Sequence, residues 1–175
     1  MPEQYILDGR IQNNPWQFVS AEDCESGVPQ GSHLIVPLTV WQEHREDLLQ
    51  RNDPLGVCLE PGEEPADLAH DLNQLAVVAI HFPRFADGRG YSYARELRRR
   101  YHYEGEVLAT GDVLRDQMFY LQRCGFNAFQ PRPDRDIEDV LAGLSDFSVT
   151  YQGDVHDPRP IYRRSDEEIR LRQSA

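Results

Sequence analysis

The chain has 175 residues, enough for one domain with its own core, and no apolar run reaches the ~20 residues that a membrane-spanning helix needs. Its formal net charge is −12 at pH 7, which disfavours general binding to nucleic acid or to an anionic membrane surface. All 18 basic residues are arginine, so neither Schiff-base chemistry nor a Walker lysine is open to the chain.

In chain order, Asp8-Gly9 between Tyr5-Ile6-Leu7 and Arg10-Ile11 is a favoured hairpin dipeptide, so the chain is expected to begin with a small β element. Trp16 and Phe18 continue an alternating pattern, and residues 21–32 read as a loop. His33 to Leu38 reads as a strand. Thr39 with Gln42 forms a capping box, opening a helix through Arg51 that Asn52 and Pro54 close. Leu55 to Glu60 is the next strand. Pro65 suits the first turn of a helix, with Leu68, Leu72 and Leu75 at core spacing. The unbroken apolar run Ala76 to Ile80 fits a strand covered on both faces.

Tyr91 to Tyr103 reads as a helix with Tyr93, Ala94, Leu97 and Tyr101 facing inward. Glu106 to Thr110 is a strand. Asp112 is placed to cap a helix running to Cys124, with Gly125 as its left-handed terminator and Phe126 folding back onto Leu121. A strand over Asn127 to Gln130 precedes a last helix, Asp136 to Leu144. Phe147, Val149 and Tyr151 are expected to form a final edge strand.

Strands alternating with helices imply an α/β fold: a single domain of repeated βα units with a mainly parallel sheet and right-handed crossovers. A doubly wound sheet is the first choice and a partial barrel the runner-up. The domain is expected to span residues 1–157. The polar tail, 158–175, reads as either disordered or a short solvated helix.

Ligands in parallel α/β sheets collect beyond the carboxyl ends of the strands, and two junctions there are rich in functional groups. One carries His81, Arg84, Asp87, Gly88, Arg89, Gly90, Tyr91 and Ser92. The other carries Gly111, Asp112, Arg115, Asp116 and Gln117. If their strands are neighbours, Arg84, Asp87, Arg89, Tyr91, Ser92, Asp112, Arg115, Asp116 and Gln117 could line one site for a small anion or a partner. Arginine forks and outward N–H groups at helix starts are suitable anion hosts. Simpler roles compete: Asp112 as a helix cap, Arg115 and Asp116 in ion pairs with neighbouring helices, and Arg98, Arg99 and Arg100 as a solvated face with Glu96 paired to Arg100. His81 ends a strand and could reach the same pocket, but alone specifies no reaction.

Cys24, Cys58 and Cys124 form no CxxC pair, which argues against a zinc ribbon, an iron–sulfur cluster or a disulfide framework. No dinucleotide fingerprint, P-loop, nucleophile elbow or HExxH is present. No cofactor or metal is therefore expected. Met1-Pro2-Glu3-Gln4 lacks the basic-then-apolar pattern of a secretory signal, so a cytoplasmic location is expected.

The blocks Phe85-Ala-Asp-Gly-Arg-Gly-Tyr-Ser-Tyr-Ala-Arg-Glu-Leu-Arg98, Gly105-Glu-Val-Leu-Ala-Thr-Gly-Asp-Val-Leu-Arg-Asp-Gln117 and Tyr120-Leu-Gln-Arg-Cys-Gly-Phe-Asn-Ala-Phe129 resemble the bacterial domain-of-unknown-function family 934. That resemblance implies an accessory role in assimilatory sulfite reduction, in contact with the sulfite reductase or its electron donor. Two other readings stay open: a sensor or enzyme binding a sulfur oxyanion or phosphate, and a non-catalytic assembly subunit, with an oligomer possible in either case.

Overall fold

The computed structural model describes residues 3–25 and 27–173. The start Met1-Pro2, Ser26 within the 21–32 loop, and the last two residues of the tail lie outside the described residues.

Asp8 and Gly9 take positive φ, 48° and 73°, as a two-residue primed turn requires. They join strand β1 (Gln4–Leu7) to β2 (Arg10–Asn13) in the expected antiparallel hairpin. Six further strands follow: β3 (Gln17–Phe18), β4 (Leu34–Pro37), β5 (Leu55–Leu59), β6 (Val77–Phe82), β7 (Glu106–Gly111) and β8 (Ala128–Phe129). Their order across the sheet is β2-β1-β8-β7-β6-β5-β4-β3. From β3 to β8 every neighbouring pair is parallel and consecutive in the chain, and β1 joins β8 antiparallel.

A doubly wound sheet needs a reversal of strand order to send helices to both faces. The parallel run here has none, so the doubly wound arrangement is not confirmed, and the sheet curls into a half barrel. Alternate side chains sort accordingly. Leu34, Val36, Val57, Leu59, Val78, Ile80, Phe82, Val107, Ala109 and Phe129 join Trp41, Leu97, Met118 and Leu121 in the larger core, beneath the helices. Ile35, Cys58, Val77, Ala79, Leu108 and Ala128 form a smaller core on the concave face. Small side chains let that face curl: a Cβ on Gly56 would strike the Val77 side chain.

The helix expected over Thr39–Arg51 is two pieces, α1 (Leu38–Glu43) and α2 (Arg45–Leu49), broken at His44. Thr39 makes no cap, since Pro37 already precedes the first helical residue. The break is spanned by Asp71, whose carboxylate accepts from the Trp41 indole at 3.1 Å and from Arg45 Nε at 2.8 Å. Residues after Pro65 form two 3₁₀ turns, Pro65–Leu68 and Leu72–Gln74, rather than one α-helix, yet Leu68, Leu72 and Leu75 are all buried as expected.

Helix α3 (Arg89–Arg99) begins two residues before Tyr91 and stops short of Tyr103, whose hydroxyl leaves to donate to Leu75 O at 3.0 Å. Helix α4 (Arg115–Cys124) ends at Gly125, φ 114°, with Phe126 N donating to Leu121 O at 3.2 Å, the predicted left-handed stop. Helix α5 (Ile137–Ala142) is capped by Asp136, which accepts from Glu138 N at 3.1 Å.

One other reading is corrected. Residues 147–151 form no strand; Phe147 is 63 % and Tyr151 71 % exposed. The outermost strands of the sheet are β2 and β3. The tail forms α6 (Asp166–Gln173), and it is anchored by Arg164, buried with its Nε donating to Arg159 O at 3.1 Å and lying 3.4 Å from Asp157 Oδ2. No helix among the described residues is long and apolar enough to cross a membrane.

Candidate functional site

Strands β6 and β7 are hydrogen-bonded neighbours, so the two residue-rich junctions do open at the same end of the sheet. Gly90, in the first turn of α3, packs against β6: a Cβ there would lie 2.6 Å from Phe82 Cζ. Asp87 fixes the turn by accepting from Arg89 N at 3.2 Å and from its guanidinium at 3.0 and 2.6 Å. Those bonds hold the Asp87 carboxyl down at about 2. Arg84 and Ser92 are exposed, with no side-chain hydrogen bond among the described residues.

At the second junction Asp112 is not the helix cap. Gly111 takes φ 94°, and Asp112 N donates to Phe82 O at 2.7 Å, which holds Asp112 in the loop two residues ahead of the N-cap, Leu114. Its carboxylate instead ties loops together, accepting from Phe85 N at 2.8 Å and from Arg132 at 3.2 Å. The start of α4 is satisfied by Gln117, whose Oε1 accepts from Leu114 N at 2.9 Å.

Gln117 is buried and donates through Nε2 to the Tyr91 hydroxyl at 3.2 Å. Tyr91 packs edge-on to Phe82 and tilts against Tyr120. Tyr91, Asp112 and Gln117 thus link the two junctions. Arg89 and Arg115 each engage separate carboxylates. Arg115 turns toward α5, 2.5 Å from Asp139 and 3.1 Å from Asp146, the inter-helix ion pairing that was the simpler expectation for it. Asp116 is exposed on the outer side of α4.

Arg98 corrects another reading. Only its neighbours Arg99 and Arg100 are exposed, and Arg100 pairs with Glu96 at 2.7 Å. The Arg98 guanidinium is turned inward and donates to four acceptors: Gly125 O, Tyr103 O, Gly105 O and Asn127 Oδ1, at 2.6–3.0 Å. No carboxylate is among them. It is a structural clamp beneath the sheet.

The carboxyl ends of the strands carry a polar group that strand-by-strand reading missed. Residues alternate in and out along a strand, which places Glu60, His81, Thr110 and Gln130 on the concave face with Cys58, Ala79, Leu108 and Ala128. His81 Nδ1 lies 2.7 and 2.9 Å from the two Glu60 oxygens. Thr110, the register partner of His81, donates its hydroxyl proton to Gln130 Oε1 at 3.2 Å. Period-two counting back from each strand end was the signal that could have found them; the junction residues drew attention because they are charged. Cys58, in the floor, is pushed well above the ordinary thiol range by burial. Among the described residues no group of three or more His, Cys, Asp or Glu could hold a metal ion.

A second feature lies outside α4. Phe119, Tyr120, Phe147, Val149 and Tyr151, with Asp116 and Arg123 at the edge, line a recess of about 520 Å³. The Phe119 and Phe147 rings stand 5.0 Å apart. Cys124 is buried beside it, and burial raises its thiol above the ordinary range, so packing accounts for it.

No curated protein matches the chain. A family model described as "Bacterial protein of unknown function (DUF934)" matches residues 56–162, which takes in β5 to β8, both junctions, the concave polar group and the aromatic recess. That match covers more than half of the sequence, and the chain belongs to the DUF934 family.

Proposed function

We propose that this protein is an accessory of assimilatory sulfite reduction, working in contact with the sulfite reductase or its electron donor. The sulfur pathway comes from the resemblance of the Phe85–Phe129 blocks. The observation that carries the contact role is the aromatic recess. Phe147 and Tyr151 are 63 % and 71 % exposed, and Tyr120 is 53 % exposed. A cluster of exposed rings with a charged edge has the anatomy of a protein-binding patch, an apolar centre inside a polar rim. The net charge of −12 favours a basic partner surface and steers the encounter.

Binding of purified sulfite reductase to the immobilised protein tests this. The reductase is expected to bind, with affinity falling as salt rises, and a Phe147→Ala/Tyr151→Ala double variant is expected to lose at least tenfold in affinity. Undiminished binding by that variant would reject the recess as the contact. Unchanged sulfite reduction in a strain lacking the protein would reject the accessory role itself. A stable dimer closed over the recess would favour an assembly subunit instead.

A further inference from the structure

We propose that His81, Glu60, Thr110 and Gln130 form a proton-transfer site at the carboxyl end of the half barrel, acting on a small carbonyl compound with an acidic C–H beside the carbonyl. This inference is independent of the aromatic recess and of the sulfite reading.

The position is the first argument. In (β/α) barrels reactive groups gather at the carboxyl ends of the strands, contributed by several strands at once. Here they come from four successive positions, at or just after the ends of β5, β6, β7 and β8. The residues beneath them, Cys58, Ala79, Leu108 and Ala128, are buried, so the polar rim itself is what a ligand would meet.

The second argument is the direction of each hydrogen bond. Glu60 engages His81 Nδ1 at 2.7 Å. A carboxylate accepts, so Nδ1 carries the proton and the Nε2 lone pair is left free. Nε2 has no partner among the described residues, and Gly111 gives the ring its room: a Cβ there would lie 2.6 Å from His81 Cδ2 and 2.9 Å from Nε2. An imidazole held in this tautomer presents Nε2 as a general base.

The third argument concerns Thr110 and Gln130. Thr110 spends its proton on Gln130 Oε1, so its hydroxyl is not aimed at His81 and is not activated as a nucleophile. The same bond fixes the Gln130 amide, leaving Nε2 as a donor with no partner among the described residues. Although Gln130 as a whole is only 8 % exposed, its Nε2 is not among the buried atoms without a partner, so it keeps contact with solvent and is open to a ligand. A base on one strand and a fixed N–H donor two strands away suit a ligand that loses a proton from carbon while charge builds on oxygen.

The step balances without any further reagent. His81 Nε2 takes a proton from the carbon next to the carbonyl: the C–H bond breaks and an N–H bond forms. The C–H electron pair becomes the C=C bond of an enolate, and the carbonyl π pair moves to the oxygen, which Gln130 Nε2–H holds. Return of a proton, or of a deuteron from solvent, to carbon restores the carbonyl and the neutral imidazole. His81 and Gln130 are the catalytic residues, and Glu60 is a positioning residue.

Hydroxyacetone in D₂O supplies the probe, with loss of its α-hydrogen signals followed by ¹H NMR. The intact protein is expected to accelerate exchange, His81→Gln to return it to the buffer rate, and Gln130→Ala to slow it about 10²-fold. ¹⁵N NMR of His81 gives a readout apart from rate: the Nδ1–H tautomer is expected, and Glu60→Gln should shift the balance toward Nε2–H while thermal unfolding stays cooperative. Exchange at the buffer rate with the intact protein, or an Nε2–H tautomer in it, would overturn the assignment.

Discussion

Trp16 Nε1 donates to Glu106 Oε2 at 3.0 Å across the concave face, although Trp16 immediately precedes β3 and Glu106 opens β7, with three strands between them in the sheet. Tyr5 OH reaches the same oxygen from the opposite edge at 3.5 Å. The amino end of the half barrel is therefore drawn together by one carboxylate. Burial raises the Glu106 carboxyl above the ordinary glutamate range, and the bonds from Trp16 and Tyr5 only partly offset it. A carboxyl raised in the fold contributes its stability below the unfolded value of about 4.3 and loses it as pH rises through the folded value. Glu106→Gln keeps an acceptor for Trp16 without a charge. It is expected to raise the melting temperature at pH 7, by about 2–4 °C for each kcal/mol relieved, and to leave it unchanged at about pH 4 and below. Paired thermal melts at the two pH values check this; a gain at acid pH equal to that at neutral pH would refute the charge argument.

Arg98 serves the amino ends of the strands in a different way. Its four donor contacts join the end of α3 to the Tyr103–Gly105 turn, the Gly125 stop and Asn127. Arg98→Ala leaves several inward carbonyls short of a donor, at a cost of about 1–3 kcal/mol for each group left buried and unsatisfied. Arg98→Lys is expected to recover little, because one ammonium cannot reproduce a planar fork serving four acceptors. Urea denaturation of both variants would show it; a lysine variant as stable as the parent would contradict the clamp.

Arg98 also shows how far a sequence can be read. Its triple, Arg98-Arg99-Arg100, looks like a solvated face, and for Arg99 and Arg100 it is one. Nothing local marks the first of the three as buried, because its partners lie up to 29 residues away. Local rules served where the cause is local: Asp8-Gly9 made its turn and Gly125 its left-handed stop. They failed where a distant group decides, as with Asp71 holding Trp41 and Arg45 across the break at His44. Likewise Asp112 has every mark of a helix cap, yet Phe85 N and Arg132 claim its carboxylate. The candidate site was half legible for the same reason. His81 stood out by type, while Glu60, Thr110 and Gln130 become a group only once the strand order places their strands in succession.

Arg89 and Arg115 bear on the anion-binding alternative. Each guanidinium is half exposed and already forked onto carboxylates of its own chain. Such exposed pairs are screened by solvent, so Arg89→Ala and Arg115→Ala are each expected to leave the melting temperature nearly unchanged. An anion at either place would have to displace Asp87, or Asp139 and Asp146. Calorimetry with sulfite, sulfate and phosphate at millimolar concentration is expected to give no heat that depends on either arginine. Heat that disappears in Arg89→Ala or Arg115→Ala would restore the anion reading.

Gly111 connects the fold to the concave polar group. Its φ of 94° is strained for any residue with a side chain, and a Cβ would strike the Phe82 carbonyl and lie 2.6 Å from the His81 ring. Gly111→Ala is therefore expected to cost about 1–3 kcal/mol from the backbone conformation alone. It should also push the imidazole away from Glu60, because the carbonyl on the other side belongs to β6 and cannot yield. Urea denaturation measures the first effect and the ¹⁵N resonances of His81 the second. A variant with parental stability and an undisturbed His81 tautomer would show that neither the turn nor the ring depends on this glycine.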